Sequence, residues 1–203
     1  MKQLLIATNN KGKVEELQDL LKGAGIDVLT PAHINLDLDV TEDGNTYAEN
    51  ASKKAIAFAN TSGIISLADD SGLEVDALEG APGLYSARYS PRPNATDADR
   101  RAYLLQNLQG KPRPWTARFQ ATIVIAIPNG ETHLAQGTCE GEIISEERGT
   151  GGFGYDPIFL LRELGKTMAE LSMHEKNRLS HRARAVMKAL PILHQLFDHV
   201  DST

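Results

Sequence analysis

The stretch QLLIATNNKGKVEELQDLL, residues 3–21, joins an apolar run to an amphipathic segment through a polar turn that carries two lysines. The apolar run predicts a short buried strand, and apolar residues from Val14 to Leu21 recur at the spacing of one helix face. A strand that leads directly into a helix is typical of α/β folds. This stretch therefore indicates the fold class.

The segments that follow extend this start into a mixed sheet. IDVLT predicts a strand, and a helix is expected from Thr46 to about Asn60. IISLA predicts a further strand that ends in a turn at 69–72, and a second helix is expected from Thr96 to about Leu108. ARFQATIVIAI and HLAQGTCEGEII predict an antiparallel hairpin around Pro-Asn-Gly. One long helix is expected from roughly His174 to His199. Early β-α alternation followed by a hairpin predicts one α/β domain, residues 1–203, with a mixed sheet.

Composition limits the class of partner. The chain has 203 residues, of which 41% are apolar and 24% charged, as in globular domains. A formal charge of −6 argues against broad electrostatic binding to nucleic acid or to a membrane surface. The single cysteine, Cys139, excludes an intramolecular disulfide framework, and no signal peptide or spanning segment is expected. These features predict a cytoplasmic protein.

The turn ATNNKGK, residues 7–13, invites comparison with the Walker A phosphate loop, GxxxxGK[ST]. Ala7 stands where that motif has its first glycine and Val14 where it has Ser or Thr, so the match fails. A helix N-terminus with Lys11 and Lys13 beside it is nevertheless suited to an anion. The residues are compatible with a phosphate loop and with an ordinary solvated turn.

Adjacent carboxylates close the IISLA strand, at Asp69 and Asp70. Consecutive residues of a strand point to opposite faces, so one carboxylate can enter the core edge while the other faces a cleft. Mg²⁺ prefers such oxygen ligands, and Glu42 could share the ion. The alternative is an acidic turn in which each aspartate binds its own backbone.

Two further segments could bind a planar ring and its polar edge. GTGGFGYDP, residues 149–157, sets two aromatics among four glycines, which permits close approach to a base. Arg178, His181 and Arg182 are spaced to share a helix face and to donate hydrogen bonds. A glycine-rich core turn and a solvated basic face are the respective alternatives.

Six separated motifs together resemble the inosine/xanthosine triphosphate pyrophosphatase family. They are TNNKGK at 8–13, ENA at 49–51, ADDSGLEVDAL at 68–78, GAPGLYSARY at 80–89, GTGGFGYDPIF at 149–159 and SHR at 180–182. The resemblance implies a central elongated sheet flanked by helices. It also implies Mg²⁺-dependent hydrolysis of ITP, dITP and XTP to the monophosphate and pyrophosphate by a homodimer that removes deaminated purines from the nucleotide pool.

The same resemblance assigns roles to individual residues. Asp70 would be the proton acceptor and, with Glu42, a magnesium ligand. The implied substrate contacts are Thr8, Asn9, Asn10, Lys11, Gly12 and Lys13 for the triphosphate, Lys54 and Ser71 beside it, and Phe153, Gly154, Tyr155, Asp156, Lys176, His181 and Arg182 around the base. Two alternatives remain, a Maf-like pyrophosphatase that acts on other nucleotides and a nucleotide-binding regulator without catalysis.

Overall fold

The computed structural model describes residues 2–200 and contains a mixed β-sheet. Its strands within this range are β1 (Gln3–Ile6), β2 (Asp27–Leu29), β3 (Ser66–Val75), β4 (Trp115–Ala126), β5 (Thr132–Ile143), β6 (Phe159–Leu161) and β7 (Lys166–Thr167). They are ordered β2-β1-β3-β4-β5-β6-β7. Both neighbours of β1 run parallel to it, whereas β6 is antiparallel to β5 and β7. The predicted mixed sheet is confirmed.

The helices flank this sheet in the sequence order that the patterns predicted, with one exception. They are α1 (Lys11–Leu21), α2 (Tyr47–Ser62), α3 (Asp97–Leu108), α4 (Met173–Leu179) and α5 (His181–Val200). None of the helices within residues 2–200 has the length and apolar character needed to cross a membrane.

The exception is the C-terminal helix, because the single helix predicted from His174 to His199 is wrong. The chain is extended at Ser180 (φ −68°, ψ 158°), which ends α4 and lets α5 begin at His181. Arg178 is exposed on α4, whereas His181 and Arg182 are buried at the start of α5. The three residues therefore do not share one helix face.

The predicted turn at 69–72 is also wrong, because β3 continues through it to Val75. The turn preference of Asp, Ser and Gly is overridden by long-range partners, since the Asp69 carboxylate is ion-paired with Lys13 and Arg182. Asp69 and Asp70 are consecutive residues of a strand, so they point to opposite faces as predicted.

The chain divides into two compact units. The first unit comprises Met1–Asp70, Ala121–Gly137 and Arg182–Thr203, and the second comprises Ser71–Gln120 and Thr138–His181. Each has its own apolar core: α1 and α5 contribute to that of the first unit, and α3 with β6 to that of the second. The prediction of one domain stays a prediction.

The α-helices α3 and α4 begin in reciprocal capping boxes. The Thr96 hydroxyl accepts the Asp99 N–H, and the Asp99 carboxylate accepts the Thr96 N–H at 2.9 Å, as the three-residue spacing of Thr96 and Asp99 predicts. Ser172 and Glu175 form the same arrangement at α4. Hydrogen bonds from the Thr96 hydroxyl and N–H lower the pKa of Asp99 to about 2, and those from the Ser172 N–H and hydroxyl lower the pKa of Glu175 to about 2.

These caps predict a loss of stability in acid. Because both pKa values are lowered on folding, the stabilisation is fully present above the ordinary carboxyl pKa and is lost as pH falls toward about 2. Asp99→Asn should lower the free energy of unfolding in urea at pH 7, and the difference from wild type should shrink at pH 3. Glu163→Gln, at an exposed residue, is the control. An equal difference at both pH values would contradict this expectation.

Candidate active site

The turn between β1 and α1 is a capped helix start. Asn10 is the N-cap of α1, and its side-chain oxygen accepts the Lys13 N–H at 3.1 Å. The Thr8 hydroxyl accepts the Asn10 N–H at 3.2 Å, while Asn9 donates to the Leu38 carbonyl. Lys11 is exposed. The turn thus presents the positive end of α1 with its polar residues already ordered.

Two lysines from different helices converge on the backbone of Asp69. Lys13 Nζ lies 3.2 Å from the Asp69 carbonyl oxygen and 3.0 Å from its carboxylate. Lys54 Nζ, from α2, donates to the same carbonyl at 3.1 Å. Burial lowers the pKa of Lys13, and the nearby Lys54 adds to this effect, although Asp69 opposes it. Two adjacent ammonium groups are a suitable site for a polyanion.

Arg182 also binds the Asp69 carboxylate and is 2% exposed. Its Nη2 lies 3.0 Å from the Asp69 carboxylate, and its Nη1 donates to Glu16 of α1. Burial opposes the charge of Arg182, but the two carboxylates outweigh it and raise its pKa. The guanidinium of Arg182 thus binds two buried carboxylates, and its contact with a base edge stays a prediction.

Asp70 points to the other face of β3 and is 7% exposed. Its carboxylate lies 3.8 Å from Lys54 Nζ, which also contacts the Glu42 carboxylate at 2.7 Å. Burial raises the pKa of Asp70, although Lys54 and Lys13 oppose that rise. The two carboxylates predicted as metal ligands therefore flank one lysine, and they offer the oxygen donors that Mg²⁺ prefers.

The carboxylates of Asp70 and Glu42 fit a metal ion that takes only a few of its ligands from the protein. Within residues 2–200, no group of three or more His, Cys, Asp or Glu side chains is arranged to hold a metal. Mg²⁺ is commonly bound through one or two carboxylates, with waters and substrate phosphates supplying the remaining ligands. The donor set therefore fits magnesium bound together with a phosphate ligand.

The ENA motif holds the loop that carries Glu42. Buried Asn50 accepts the Gly44 N–H at 2.8 Å, and Glu49 accepts the Asn45 N–H at 2.7 Å. A Cβ on Gly44 would lie 2.7 Å from the Asn50 side-chain oxygen, so only glycine fits at that position. The motif thus fixes the acidic loop that carries Glu42 to the first turns of α2.

The glycine-rich loop of the second unit is organised by Asp156. Its carboxylate accepts the Phe153 N–H at 2.9 Å and binds Lys176 Nζ at 2.6 Å. Lys176 Nζ also lies 5.4 Å from the centre of the Phe153 ring. Gly152 has φ +69°, and a Cβ there would lie 2.0 Å from the Asp156 carboxylate. The loop is therefore built around a buried ion pair next to an aromatic face.

Further predicted residues of this unit are Tyr155, His181 and Ser71. Tyr155 is buried, and its hydroxyl donates to the Ser86 carbonyl at 2.8 Å. The His181 ring stacks on Phe119 with centres 4.7 Å apart. Ser71, half-buried, follows Asp70 in β3. Tyr155 thus supports the loop through its hydroxyl.

Sequence reasoning missed Glu16, which is buried on α1 and binds Arg182. A signal was present, because Glu16 lies three residues after Lys13 and four before Leu20, within the helix stripe that faces the core. A charged residue in such a stripe requires an oppositely charged partner.

Comparison with known proteins places this chain in a family. The sequence profile of the Ham1 family matches residues 4–192. The chain belongs to the Ham1 family. The resemblance based on six motifs is thereby confirmed. Among relatives of this Ham1 chain, a dITP/XTP pyrophosphatase of Desulforamulus reducens is 52% identical over 97% of the chain and 98% of its own length. A dITP/XTP pyrophosphatase of Bacillus subtilis is 44% identical over 95% and 98%.

Solved structures agree with the Ham1 fold. A HAM1 protein from Coxiella burnetii superposes with a TM-score of 0.86 and 37% identity, covering 96% of this chain and all of that one. The Staphylococcus aureus Ham1 protein gives a TM-score of 0.83 and 39% identity, with 96% and 99% covered. The α/β fold class with a mixed sheet is therefore shared with these Ham1 proteins.

Proposed function

We propose that this chain is a nucleoside-triphosphate pyrophosphatase that hydrolyses the deaminated purine nucleotides ITP, dITP and XTP to the monophosphate and pyrophosphate. The observation that carries the proposal is the convergence of Lys13 and Lys54 on Asp69, next to the buried Asp70. This arrangement places two positive charges that can bind a triphosphate next to a carboxylate that can accept a proton from water. The names of the relatives, dITP/XTP pyrophosphatase, support dITP and XTP as substrates.

The triphosphate is assigned to the first unit. Lys11, Lys13 and the N-terminus of α1 bind the pyrophosphate part, and Lys54 binds nearer the reacting phosphorus. Thr8, Asn9, Asn10 and Gly12 shape the turn and offer backbone N–H groups. Because the lysines are held by the Asp69 carbonyl, little ordering is needed when the anion binds.

Asp70 is assigned as the proton acceptor. A water oxygen attacks the α-phosphorus in line, the bond from that phosphorus to the pyrophosphate oxygen breaks, and the water proton passes to Asp70. A carboxylate with a raised pKa is a stronger base than an ordinary one. Ser71 would contact the substrate directly beyond Asp70.

Asp70 and Glu42 are assigned as the residues that hold Mg²⁺. The ion, when bound, supplies positive charge that stabilises the developing negative charge on the phosphate oxygens. Lys54, between the two carboxylates, keeps their oxygens oriented.

The base is assigned to the second unit. Phe153 offers its ring face, Gly154 and Tyr155 line the same loop, and Asp156 with Lys176 fixes it. His181 is the assigned donor to the 6-oxo group, which adenine replaces with an amino donor. Arg182 acts chiefly through Asp69 and Glu16.

A substrate panel tests the proposal. ITP, XTP, GTP and ATP are incubated with the protein and Mg²⁺, and pyrophosphate and orthophosphate are measured separately. We expect pyrophosphate from ITP and XTP and slow turnover of ATP. A preference for ATP would refute the donor assignment, and binding of ITP without release of pyrophosphate would identify a regulator. The Ham1 match does not favour the Maf-like alternative.

The assignment of Glu42 as a magnesium ligand predicts that replacing Asn50 changes the magnesium dependence of the activity. Asn50→Ala removes the acceptor of the Gly44 N–H and loosens the loop that carries Glu42. We expect the Mg²⁺ concentration for half-maximal activity to rise about tenfold, with kcat at saturating Mg²⁺ within about threefold of wild type.

Asn60→Ala is the matched control for this change. Asn60 also lies on α2, and its side chain accepts the Asn129 N–H at an exposed site. The control should leave the magnesium dependence unchanged. An unaltered magnesium dependence in Asn50→Ala would contradict the assignment of Glu42.

We further propose that the chain acts in the cytoplasm as a homodimer. The implied cellular substrates are free nucleotides, and the family resemblance supports the dimer. Light scattering on the purified chain tests the dimer, and a mass near 22.1 kDa at micromolar concentration would refute it.

A further inference from the structure

Both backbone polar groups of Gly154 are bound by side chains of α3. The Gly154 N–H donates to Asp97 Oδ2 at 2.8 Å. The Gly154 carbonyl accepts from Arg101 Nη1, also at 2.8 Å. Asp97 and Arg101 are four residues apart on α3, so they lie on one side of its N-terminal part. We call these two residues the α3 clamp.

The α3 clamp is itself fixed by further charges. Arg101 binds Glu147 through two parallel contacts, Nε at 2.8 Å and Nη2 at 2.9 Å. Arg100 donates to Asp97. Burial would raise the pKa of Asp97, but hydrogen bonds from Arg100 and the Gly154 N–H outweigh burial and lower it. Such bidentate, charge-assisted contacts have little freedom to reorient.

The loop depends on these hydrogen bonds because it has little side-chain packing at Gly154. Gly154 has φ +62°, which favours glycine, and no atom lies within 4 Å of where its Cβ would be. Phe153 and Tyr155 flank it. A rotation of the backbone at Gly154 would therefore turn the Phe153 ring, whose own N–H donates to Asp156 at 2.9 Å.

We propose that Asp97 and Arg101 are positioning residues for base recognition, which hold the backbone of Gly154 and thereby orient the Phe153 ring toward the purine. The inference rests on the assignment of the loop 153–156 to the base. The inference adds Asp97 and Arg101 to the residues assigned to the base site, and both act through the loop and not by contact with the substrate. Base recognition is sensitive to such residues, since a displacement of about 1 Å can cost about 10²-fold in rate.

The test compares Asp97→Ala and Arg101→Met with Asp99→Asn. All three changes lie in α3, but Asp99 caps the helix and makes no contact with Gly154, so it reports the effect of weakening α3 alone. KM and kcat for ITP and ATP are measured for each. We expect KM for ITP to rise about tenfold or more in the two clamp variants, with kcat within about threefold and a lower ratio of kcat/KM for ITP over ATP. Asp99→Asn should keep the wild-type ratio.

Two results would overturn the inference. One is a wild-type KM and ITP/ATP ratio in both clamp variants. The other is a loss of activity that merely follows the fall in Tm, equal to that of Asp99→Asn, because this is what a purely structural role predicts.

Amide hydrogen exchange separates this inference from the proposed function. The Gly154 N–H should exchange at least about tenfold faster in Asp97→Ala than in wild type, since its acceptor is gone. This readout needs no substrate. If wild-type protein releases no pyrophosphate from ITP, the proposed function fails while the exchange result still decides whether Asp97 holds the loop. Unchanged Gly154 exchange in Asp97→Ala would refute the clamp itself.

Discussion

Replacing Asp70 with asparagine is expected to lower kcat for pyrophosphate release from ITP by about 10²–10⁴-fold, the range contributed by a positioned general base. The amide keeps the size of the side chain and removes its ability to accept a proton. Nucleotide binding should persist, because Lys13 and Lys54 both keep their contacts with the Asp69 carbonyl. Single-turnover measurement of pyrophosphate, with binding of ITP measured separately, tests this expectation.

The Asp70→Asn variant should also remain folded. Burial raises the pKa of Asp70, so the folded state favours the protonated carboxyl, and stability from this group is lost as pH rises through its folded pKa. A neutral amide avoids this cost, so Tm at pH 7 should not fall.

Asp76→Asn is the matched control for Asp70→Asn. Asp76 lies just beyond β3, is exposed, and pairs with Arg118 near the surface. It should keep near-normal kcat. Turnover of the Asp70 variant at the level of this control would contradict the assignment of Asp70 as the proton acceptor.

Replacing Arg182 with methionine is expected to destabilise the fold by about 3–5 kcal/mol. Arg182 is the shared partner of two buried carboxylates, Asp69 and Glu16, which are 0% and 4% exposed. Removing one partner of a buried ion pair leaves an uncompensated charge, which costs more than the pair contributes. Activity should fall as well, because the Asp69 carboxylate that Arg182 holds also binds Lys13. Urea unfolding and ITP kinetics measure the two effects.

A combined variant separates charge from packing. Adding Glu16→Gln and Asp69→Asn to Arg182→Met removes the unbalanced charges, and should recover most of the lost stability, since apolar replacement of a buried ion pair is often neutral. Arg184→Met, at an exposed position of the same helix, should change stability by less than about 0.5 kcal/mol. Loss of discrimination between ITP and ATP with unchanged stability in Arg182→Met would instead place Arg182 at the base edge.

Local patterns predicted the parts of this site that depend on neighbours in sequence. The strand and helix around residues 7–13 follow from hydrophobic spacing. The box at Thr96 and Asp99 follows from residues three apart. The opposite orientation of Asp69 and Asp70 follows from the alternation of any strand.

Long-range pairing was beyond those patterns. The sequence predicted a turn at 69–72, whereas Asp69 stays in a strand because Arg182, 113 residues away, balances its charge. The sequence predicted a shared face for Arg178, His181 and Arg182, whereas the backbone is extended at Ser180 and separates them. In each case the deciding partner lies outside the window over which local propensity acts.

By itself, therefore, the sequence determined the β-α start, the cap at Thr96, the two-faced acidic pair and, through six motifs, the family. Only the tertiary structure decided that Arg182 pairs with both Asp69 and Glu16, that Asn50 holds the loop of Glu42, and that α3 holds Gly154. The physical reason is that a buried charge or an ordered peptide is stable only with a partner of suitable geometry, and folding alone brings distant residues within hydrogen-bond distance.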